Sequence, residues 1–281
     1  MTTTTTTVYE LRAIVREKRQ LVKYVGTPEA SRELAKALND LAGLAQAEQA
    51  WQEADALGRE SLQLRLQLAQ QQDTVQAHRD VSVAWMNLGQ VTRAQDKLSE
   101  ASTFFAQAVQ LRRVLAEKVE SVDALRDLAA ALDASADVAL AEGDATRSEA
   151  LRREEIDLRK RIAEQVGTPE ELRALSVSLG GLASLLHERG ELSEATSVAR
   201  VCLGLSRRLA DQLGTIDARR SLVLALGTSA ELAQAQGQSA EALVLFEEGL
   251  GLARRLAEEL ATGDARADVE AFEACVSELK A

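Results

Sequence analysis

The feature of this sequence that most constrains its fold is a repeat of 47 residues. The string VGTPE occupies residues 25–29 and returns at residues 166–170, and this offset is three times 47. From residue 26 the period continues without insertion through five units, which are residues 26–72, 73–119, 120–166, 167–213 and 214–260. A fixed period of this length indicates a row of structural units, each of which packs on its neighbours.

The second residue of each unit is a signal for the start of a helix. It carries a side-chain hydroxyl every time, and such a side chain caps a helix by accepting a hydrogen bond from a free backbone N–H. Pro28 and Pro169 follow two of these residues, at the first helical position, where a missing N–H is harmless. We therefore expect helices to begin directly after Thr27, Thr74, Ser121, Thr168, Thr215 and Thr262.

An acidic residue and an arginine follow the cap, three residues apart, in four of the five complete units. Side chains at this spacing are neighbours on a helix surface, so we predict ion pairs inside each helix. The alternative interpretation is a ladder of arginines that binds an acidic partner. The four pairs are Glu29–Arg32, Asp123–Arg126, Glu170–Arg173 and Asp217–Arg220.

Each unit contains two helical patterns. In the fourth unit, leucines step by three or four residues from Leu172 to Leu186, and a second apolar pattern runs from Ala195 to Leu209. A glycine between the patterns is typical of the left-handed residue that ends a helix. Each unit is therefore predicted to be a hairpin of two helices, each about 20 residues long. The glycines at this place are Gly143, Gly190 and Gly237.

Composition supports an all-α fold and argues against several functions. Only two prolines occur in 281 residues, so helices are almost uninterrupted. The formal charge of -11 would repel the phosphate backbone of nucleic acids. The apolar runs are far shorter than the roughly 20 residues that a membrane span needs, and the first residues do not resemble a signal peptide. We therefore expect a cytoplasmic protein with no nucleic-acid or membrane partner.

Patterns of catalytic or metal-binding residues are missing from the sequence. His78 and His187 lie in different units, and Cys202 and Cys275 have no ligand at metal-site spacing. We predict no enzymatic activity, no cofactor and no metal, and we expect Cys202 to be a buried structural thiol. The adjacent Gly180 and Gly181 lie inside a helix, which indicates either close packing or the approach of another group to the backbone.

The second unit carries the strongest family signal. Its stretch WMNLGQVT, residues 85–92, is followed by a small residue, an aromatic residue and a small residue at fixed spacing. The six positions Trp85, Leu88, Gly89, Ala101, Phe105 and Ala108 resemble the signature of the tetratricopeptide repeat family. The resemblance is to an extended form with about 13 added residues per unit, similar to arrays in bacterial signalling proteins and, at a shorter period, in kinesin light chains.

This resemblance implies a right-handed α-solenoid of stacked antiparallel helical hairpins. Residues 8–25 align with the second helix of a preceding unit, and residues 261–281 align with a first helix only. We interpret both as capping helices and expect residues 1–7 to be disordered. The alternative is that the chain is part of a longer array.

The resemblance also implies a binding surface. In the family, the first helices line a concave groove, so we predict a non-enzymatic scaffold or adaptor that binds a peptide or protein segment there. Chaperone-binding members use a carboxylate clamp, of which this chain has a counterpart only at Asn87. The predicted groove residues are Lys36, Asn39, Asp40, Met86, Asn87, Gln90, Arg93, Asp133, Asp137, Ser184, His187, Glu188, Thr228, Glu231 and Gln234.

Two alternative functions remain open from the sequence. One is a ligand- or peptide-sensing regulatory arm of a bacterial signalling or defence system, because similar arrays occur in such regulators. The other is end-to-end self-association through the half-units at the two ends.

Overall fold

The chain folds entirely into helices over the part that the structure describes. The computed structural model describes the backbone of residues 2–280 and the side chains of residues 7–280. These residues form twelve α-helices and no strand, which confirms the predicted all-α class. The helices are α1 (Thr2–Val25), α2 (Pro28–Ala47), α3 (Trp51–Gln72), α4 (Val75–Ala94), α5 (Leu98–Val119), α6 (Val122–Ala141), α7 (Ala145–Val166), α8 (Pro169–Glu188), α9 (Leu192–Leu213), α10 (Ile216–Ala235), α11 (Ser239–Leu260) and α12 (Gly263–Lys280).

Helix starts follow the period, and the caps explain why. The five first helices from α2 to α10 each have 20 residues and begin at the third residue of a unit. Oγ1 of Thr27, for example, accepts a hydrogen bond from the backbone N–H of Ala30 at 3.3 Å. Thr168 has the extended backbone of a cap but makes no side-chain capping bond, so the prediction is wrong for that one hydroxyl. The same bond is made by Thr74, Ser121, Thr215 and Thr262.

Helix ends use left-handed residues at two places in the period. The predicted glycines Gly143, Gly190 and Gly237 all have positive φ. Five non-glycine residues adopt the same conformation at equivalent positions, with φ between 44° and 59°. The repeat therefore imposes this backbone even where the sequence has no glycine. The five residues are Gln49, Asp73, Asp96, Glu120 and Ala261.

Of the four predicted intrahelical ion pairs, the described residues form only the one between Asp123 and Arg126, and the prediction is wrong for the other three. Nη1 of Arg126 lies 2.8 Å from Oδ1 of Asp123, as predicted. Arg32 instead donates to Oε1 of Gln72 at the end of the following helix, 2.8 Å away. The arginines thus also connect helices.

The chain divides into two compact units, residues 1–151 and residues 152–281, with the boundary inside α7. In the first unit, each helix from α1 to α5 packs on the helix that follows it. Val15 of α1 and Leu38 of α2 are almost fully buried in the core at one end of this unit. Further along the unit, Phe105 of α5 is fully buried under Gly89 of α4.

The second unit has the same helix-on-helix packing from α8 to α12. Leu179 and Leu186 of α8 pack with Leu226 of α10 in its main core. Phe272 of α12 meets Phe246 of α11 edge to face, with ring centroids 6.0 Å apart. The stacked hairpins predicted from the resemblance are therefore present in both units.

The two end helices differ from the repeat in informative ways. Helix α1 starts at Thr2, ahead of the expected boundary at residue 8. The predicted disorder of residues 1–7 falls largely outside the residues whose side chains are described and stays a prediction. In α12, Glu270 and Glu273 stand where α10 has the buried Val223 and Leu226. The positions that are apolar and buried in α10 are thus charged and exposed in α12, and the role of α12 as a capping helix stays a prediction.

Candidate functional site

All fifteen predicted groove residues lie on first helices. We use the term first-helix face for the surface of α2, α4 and α6 in the first unit and, separately, for that of α8 and α10 in the second unit. Each of the fifteen side chains is exposed or half-buried. None of them is fully buried in the core, so a partner could reach these side chains.

An amide pair lies at the centre of the first-helix face in the first unit. Nδ2 of Asn87 on α4 donates a hydrogen bond to Oδ1 of Asn39 on α2, at a distance of 2.5 Å. Both side chains are half-buried, and both line a cavity of about 220 Å³ whose floor includes Gly58 and Ser61 of α3. The bond uses one N–H of Asn87 and the oxygen of Asn39, and it leaves the second N–H and the oxygen of Asn87 and both N–H groups of Asn39.

Charged predicted residues form a rim between α4 and α6. Nη1 of Arg93 lies 3.5 Å from Oδ2 of Asp137, and Nη2 of Arg93 lies 3.4 Å from Oε1 of Gln90. Exposed pairs of this kind contribute about 0–1 kcal/mol to stability, so a ligand can exchange them at low cost. Met86 differs from these residues, because its half-buried side chain packs on the cluster that contains Phe105.

Sequence reasoning missed Arg65, which lies on a second helix. Its Nε donates to Oγ of Ser61 at 3.2 Å, and its Nη1 reaches across to the backbone carbonyl of Asp80 on α4 at 2.9 Å. Burial lowers the pKa of Arg65, while the charges of Asp80 and Asp40 act in the opposite direction. A signal was present in the period, because a basic residue recurs at this place in four successive second helices: Lys18, Arg65, Arg112 and Arg159.

Arg65 belongs to a second cavity in the first unit, of about 200 Å³. The predicted groove residue Lys36 lies in its wall, with Arg32 on the same helix. Asp80 is the one carboxylate among the lining side chains. This cavity therefore has a basic lining, unlike the neutral cavity beside Asn39.

The second unit has a cavity of about 230 Å³ between α8 and α10. Ser184 and Thr228, both predicted groove residues, lie in its wall together with the exposed side chains of Val177 and Leu224. The lining carries hydroxyl and apolar groups and no formal charge. The remaining predicted residues of this unit, His187 and Glu188 on α8 and Glu231 and Gln234 on α10, continue along the same helices.

The two adjacent glycines of α8 have different roles. A Cβ on Gly181 would lie 2.8 Å from Nη1 of Arg152, so glycine leaves room for this guanidinium against α8. A Cβ on Gly180 would meet only Sγ of Cys202, at an ordinary 3.6 Å, and the missing side chain instead opens the cavity. The close-packing interpretation thus fits Gly181, while the approach of another group to the backbone at Gly180 stays a prediction.

Cys202 lies at the base of this cavity as a buried, free thiol. Its Sγ donates to the backbone carbonyl of Ser176 at 3.2 Å. Burial raises the pKa of Cys202, against a smaller opposite effect of hydrogen bonds with Ser176 and Ser206. The thiol is therefore held neutral, which matches the structural role expected from the sequence.

The described residues contain neither a metal-binding cluster nor a membrane-spanning helix. No group of three or more His, Cys, Asp or Glu side chains is placed to hold a metal ion. In the same part of the chain, every helix is too short or too polar to cross a membrane.

Comparison with solved structures places the fold. The chain is similar to BtubC (BKLC) from P. vanneervenii, with a TM-score of 0.67 and 15% identity over 90% of this chain and 91% of that one. A putative kinesin light chain from Podosopora anserina with nearly identical TPR-like repeats gives a TM-score of 0.60 and 19% identity, covering 83% of this chain and 99% of that one. The apo form of the quorum sensor NprR from B. thuringiensis gives 0.55 and 14%, covering 94% and 64%. No curated protein matches the sequence.

One segment of the sequence matches a known repeat family. Residues 86–118 match the tetratricopeptide repeat family. This segment contains most of the signature in the second unit, including the contact of Gly89 with Phe105. The match and the stacked hairpins agree with the structural neighbours, whose identities are low enough that they show the fold alone. Residues 86–118 are thus a tetratricopeptide repeat, and the chain has the fold of the tetratricopeptide-repeat proteins.

Proposed function

We propose that this protein is a non-enzymatic interaction scaffold that binds an extended peptide or protein segment in a concave groove along its first helices. The observation that carries the proposal is the hydrogen-bonded pair of Asn39 and Asn87 beside a cavity. A side-chain amide offers a donor and an acceptor, the same two groups that a peptide backbone presents. Adjacent amides on two packed helices are therefore suited to hold an extended backbone.

The geometry of the pair favours binding at low entropic cost. The hydrogen bond between the amides fixes the orientation of both side chains before a ligand arrives. A site ordered in advance loses less conformational freedom on binding, and this improves affinity without further contacts. The helices that carry the amides are themselves fixed by the core around Leu38 and Leu88, both of which are fully buried.

The cavity of the second unit supports the same function with different chemistry. It occupies the equivalent place between adjacent first helices, where Thr228 stands at the position of Asn87 in the period. Its uncharged lining suits a small apolar side chain, with the hydroxyls of Ser184 and Thr228 available to polar atoms beside it. Each unit thus carries, on its own first helices, a cavity beside polar groups that a peptide could contact. The proposed location is the cytoplasm, which fits two free thiols.

The test is selection of peptides from a random displayed library on the immobilised 281-residue protein. We expect enriched peptides whose affinity falls at least about tenfold in an Asn39→Leu, Asn87→Leu double variant, because each change removes a polar partner of the backbone. Gln107→Leu, on the exposed side of α5, is the control and should bind as the unchanged protein does. Selection that enriches no peptide, or peptides that bind the double variant equally well, would refute the proposal.

A regulatory arm is the second candidate function. The observation that favours it is the fold likeness to NprR, described as a quorum sensor, over 94% of this chain. In that case a bound peptide would change the conformation of the helical array. Small-angle scattering with and without a selected peptide separates the two functions, since a scaffold keeps its profile and a sensor changes it.

A further inference from the structure

The basic cavity between α2, α3 and α4 is lined by more cationic than anionic side chains. Three cationic side chains, Arg32, Lys36 and Arg65, line about 200 Å³ together with Asp80. The chain as a whole has a formal charge of -11, so this concentration of positive charge runs against the composition. The carboxylate of Asp80 is shared with Gln76, whose Nε2 donates to its Oδ1 at 2.8 Å.

Arg65, at the base of the cavity, makes its hydrogen bonds to neutral groups. Its half-buried guanidinium donates to a hydroxyl and to a backbone carbonyl, both of which are neutral acceptors. The carboxylates of Asp40 and Asp80 influence it only through space. A guanidinium removed from water gains most from a carboxylate or a similar anion, which it can bind through two parallel hydrogen bonds.

The next repeat has an equivalent cavity, in which an arginine pairs with a carboxylate of the protein. The equivalent cavity lies between α4, α5 and α6 and contains Arg79 and Arg112 at the places of Arg32 and Arg65. There Nε of Arg79 binds Oδ2 of Asp127 at 2.7 Å, and the cavity measures about 50 Å³. Asp127 stands at the place of Asp80 in the period. A carboxylate of the protein itself therefore pairs with Arg79 in this repeat, while Arg112 donates to neutral groups as Arg65 does.

The first repeat lacks the corresponding ion pair between an arginine and a carboxylate. Arg32 points to Gln72 instead of Asp80, and Lys36 adds a third cation where the next repeat has Val83. The result is a cavity about four times larger with one more positive charge and no Arg–carboxylate pair in its wall.

We propose that this cavity binds a carboxylate, supplied by an acidic side chain of the peptide partner. The proposal rests on the proposed function for the source of the carboxylate, but not for the chemistry of the cavity. Lys36 and Arg32 would meet the carboxylate from α2, and Arg65 would meet it from the base of the cavity. The preferred peptides should then be acidic at one position, next to the segment held by Asn39 and Asn87.

The test uses a probe that needs no partner. Acetyl-glutamate amide is titrated at low ionic strength into the ¹⁵N-labelled 281-residue protein, with acetyl-glutamine amide as the neutral control and inorganic phosphate as a second anion. We expect saturable shifts of the Ala77 backbone amide, which lines the cavity, in the millimolar range with the glutamate probe only. An Arg32→Gln, Lys36→Gln double variant should bind at least about tenfold more weakly, while Arg79→Gln in the next repeat should bind normally.

Each outcome of this titration decides something. Absence of saturable shifts, equal binding to the double variant, or tighter binding of phosphate than of the probe would overturn the carboxylate assignment. Arg32 and Lys36 are exposed, so the double variant should keep its fold, and its circular dichroism checks this. If the probe binds while library selection enriches no peptide, the scaffold function fails and the carboxylate site stands. If peptides are enriched without a preference for acidic residues and the probe does not bind, the carboxylate site fails and the scaffold function stands.

Discussion

The ring of Phe105 occupies the space that a side chain on Gly89 would need. A Cβ on Gly89 would lie 2.6 Å from Cε1 of the ring, and Phe105 is fully buried. The two residues belong to α4 and α5 of one hairpin, so their contact sets how closely these helices approach. Both residues are among the six signature positions of the second unit.

Gly89→Ala should therefore destabilise the protein. The added methyl group forces Phe105 or the backbone to move in a packed core, which typically costs about 1–3 kcal/mol of unfolding free energy. Urea denaturation followed by circular dichroism measures the effect. Gly204→Ala is the control: a Cβ there meets no atom within 4 Å, so better helix propensity should raise stability by up to about 1 kcal/mol. Changes of the same sign in both variants would contradict this account.

Glu120→Gly should stabilise the protein. Glu120 follows α5 in the left-handed conformation, with φ 50° and ψ 29°, which costs a residue with a Cβ about 1–2 kcal/mol. Glycine removes this cost but adds freedom to the unfolded chain, so we expect a net gain of about 0.5–1 kcal/mol in urea denaturation. Glu117→Gly, three residues earlier inside α5, should lose about 1 kcal/mol. A loss at residue 120 would mean that the turn does not need a left-handed residue.

Arg112→Met should weaken the contact between successive hairpins. Arg112 is buried and donates to Oγ of Ser82 at 3.1 Å and to the backbone carbonyl of Asp127 at 2.6 Å. Methionine keeps much of the volume but donates no hydrogen bond, so we expect a loss of about 1–3 kcal/mol in thermal or urea unfolding. Gln110→Met, on the exposed side of the same helix, should change stability by less than about 0.5 kcal/mol. Equal effects of the two changes would argue against a structural role for Arg112.

The helices could be predicted because their signals are local and repeated. A hydroxyl cap, an apolar stripe and a glycine define each helix without reference to distant residues. Left-handed residues such as Asp73 and Glu120 gave no local signal, since neither is glycine. Only their register, shared with Gly167, could have shown them.

The candidate site was less predictable because it depends on contacts between helices. Asn39 and Asn87 were predicted to lie on first helices, as they do, but their hydrogen bond joins residues 48 positions apart. Arg65 was missed because it lies on the second helix α3, from which its side chain reaches between the first helices α2 and α4.

The third unit shows a further limit of signature matching. Arg152 and Glu155 stand at the places of Phe105 and Ala108, so the third unit lacks these two residues of the signature. The structure buries both side chains: Oε1 of Glu155 accepts from Oγ of Ser178 at 2.7 Å, and Gly181 makes room for Arg152. Compensating changes on a neighbouring helix thus preserve the packing, and a single sequence does not reveal them.

Cys202 should make stability depend on pH above neutrality. An unfolded cysteine ionises near pH 8.5, whereas burial raises the pKa of Cys202 in the folded protein. As pH rises past about 8.5, the unfolded chain releases this proton and the folded protein keeps it, so the free energy of unfolding falls. The contribution of the buried thiol is complete below that pH and is lost above it.

Cys202→Ala isolates this effect, since Ala108 fills the same place in the second unit. Urea denaturation at several pH values between about 7 and 10 should show a steeper loss of stability for the unchanged protein than for the variant. Cys275, whose pKa is also raised mainly by burial, is present in both proteins and cancels in the difference. Parallel curves for the two proteins would show that the thiol at residue 202 ionises as readily in the folded state as in the unfolded chain.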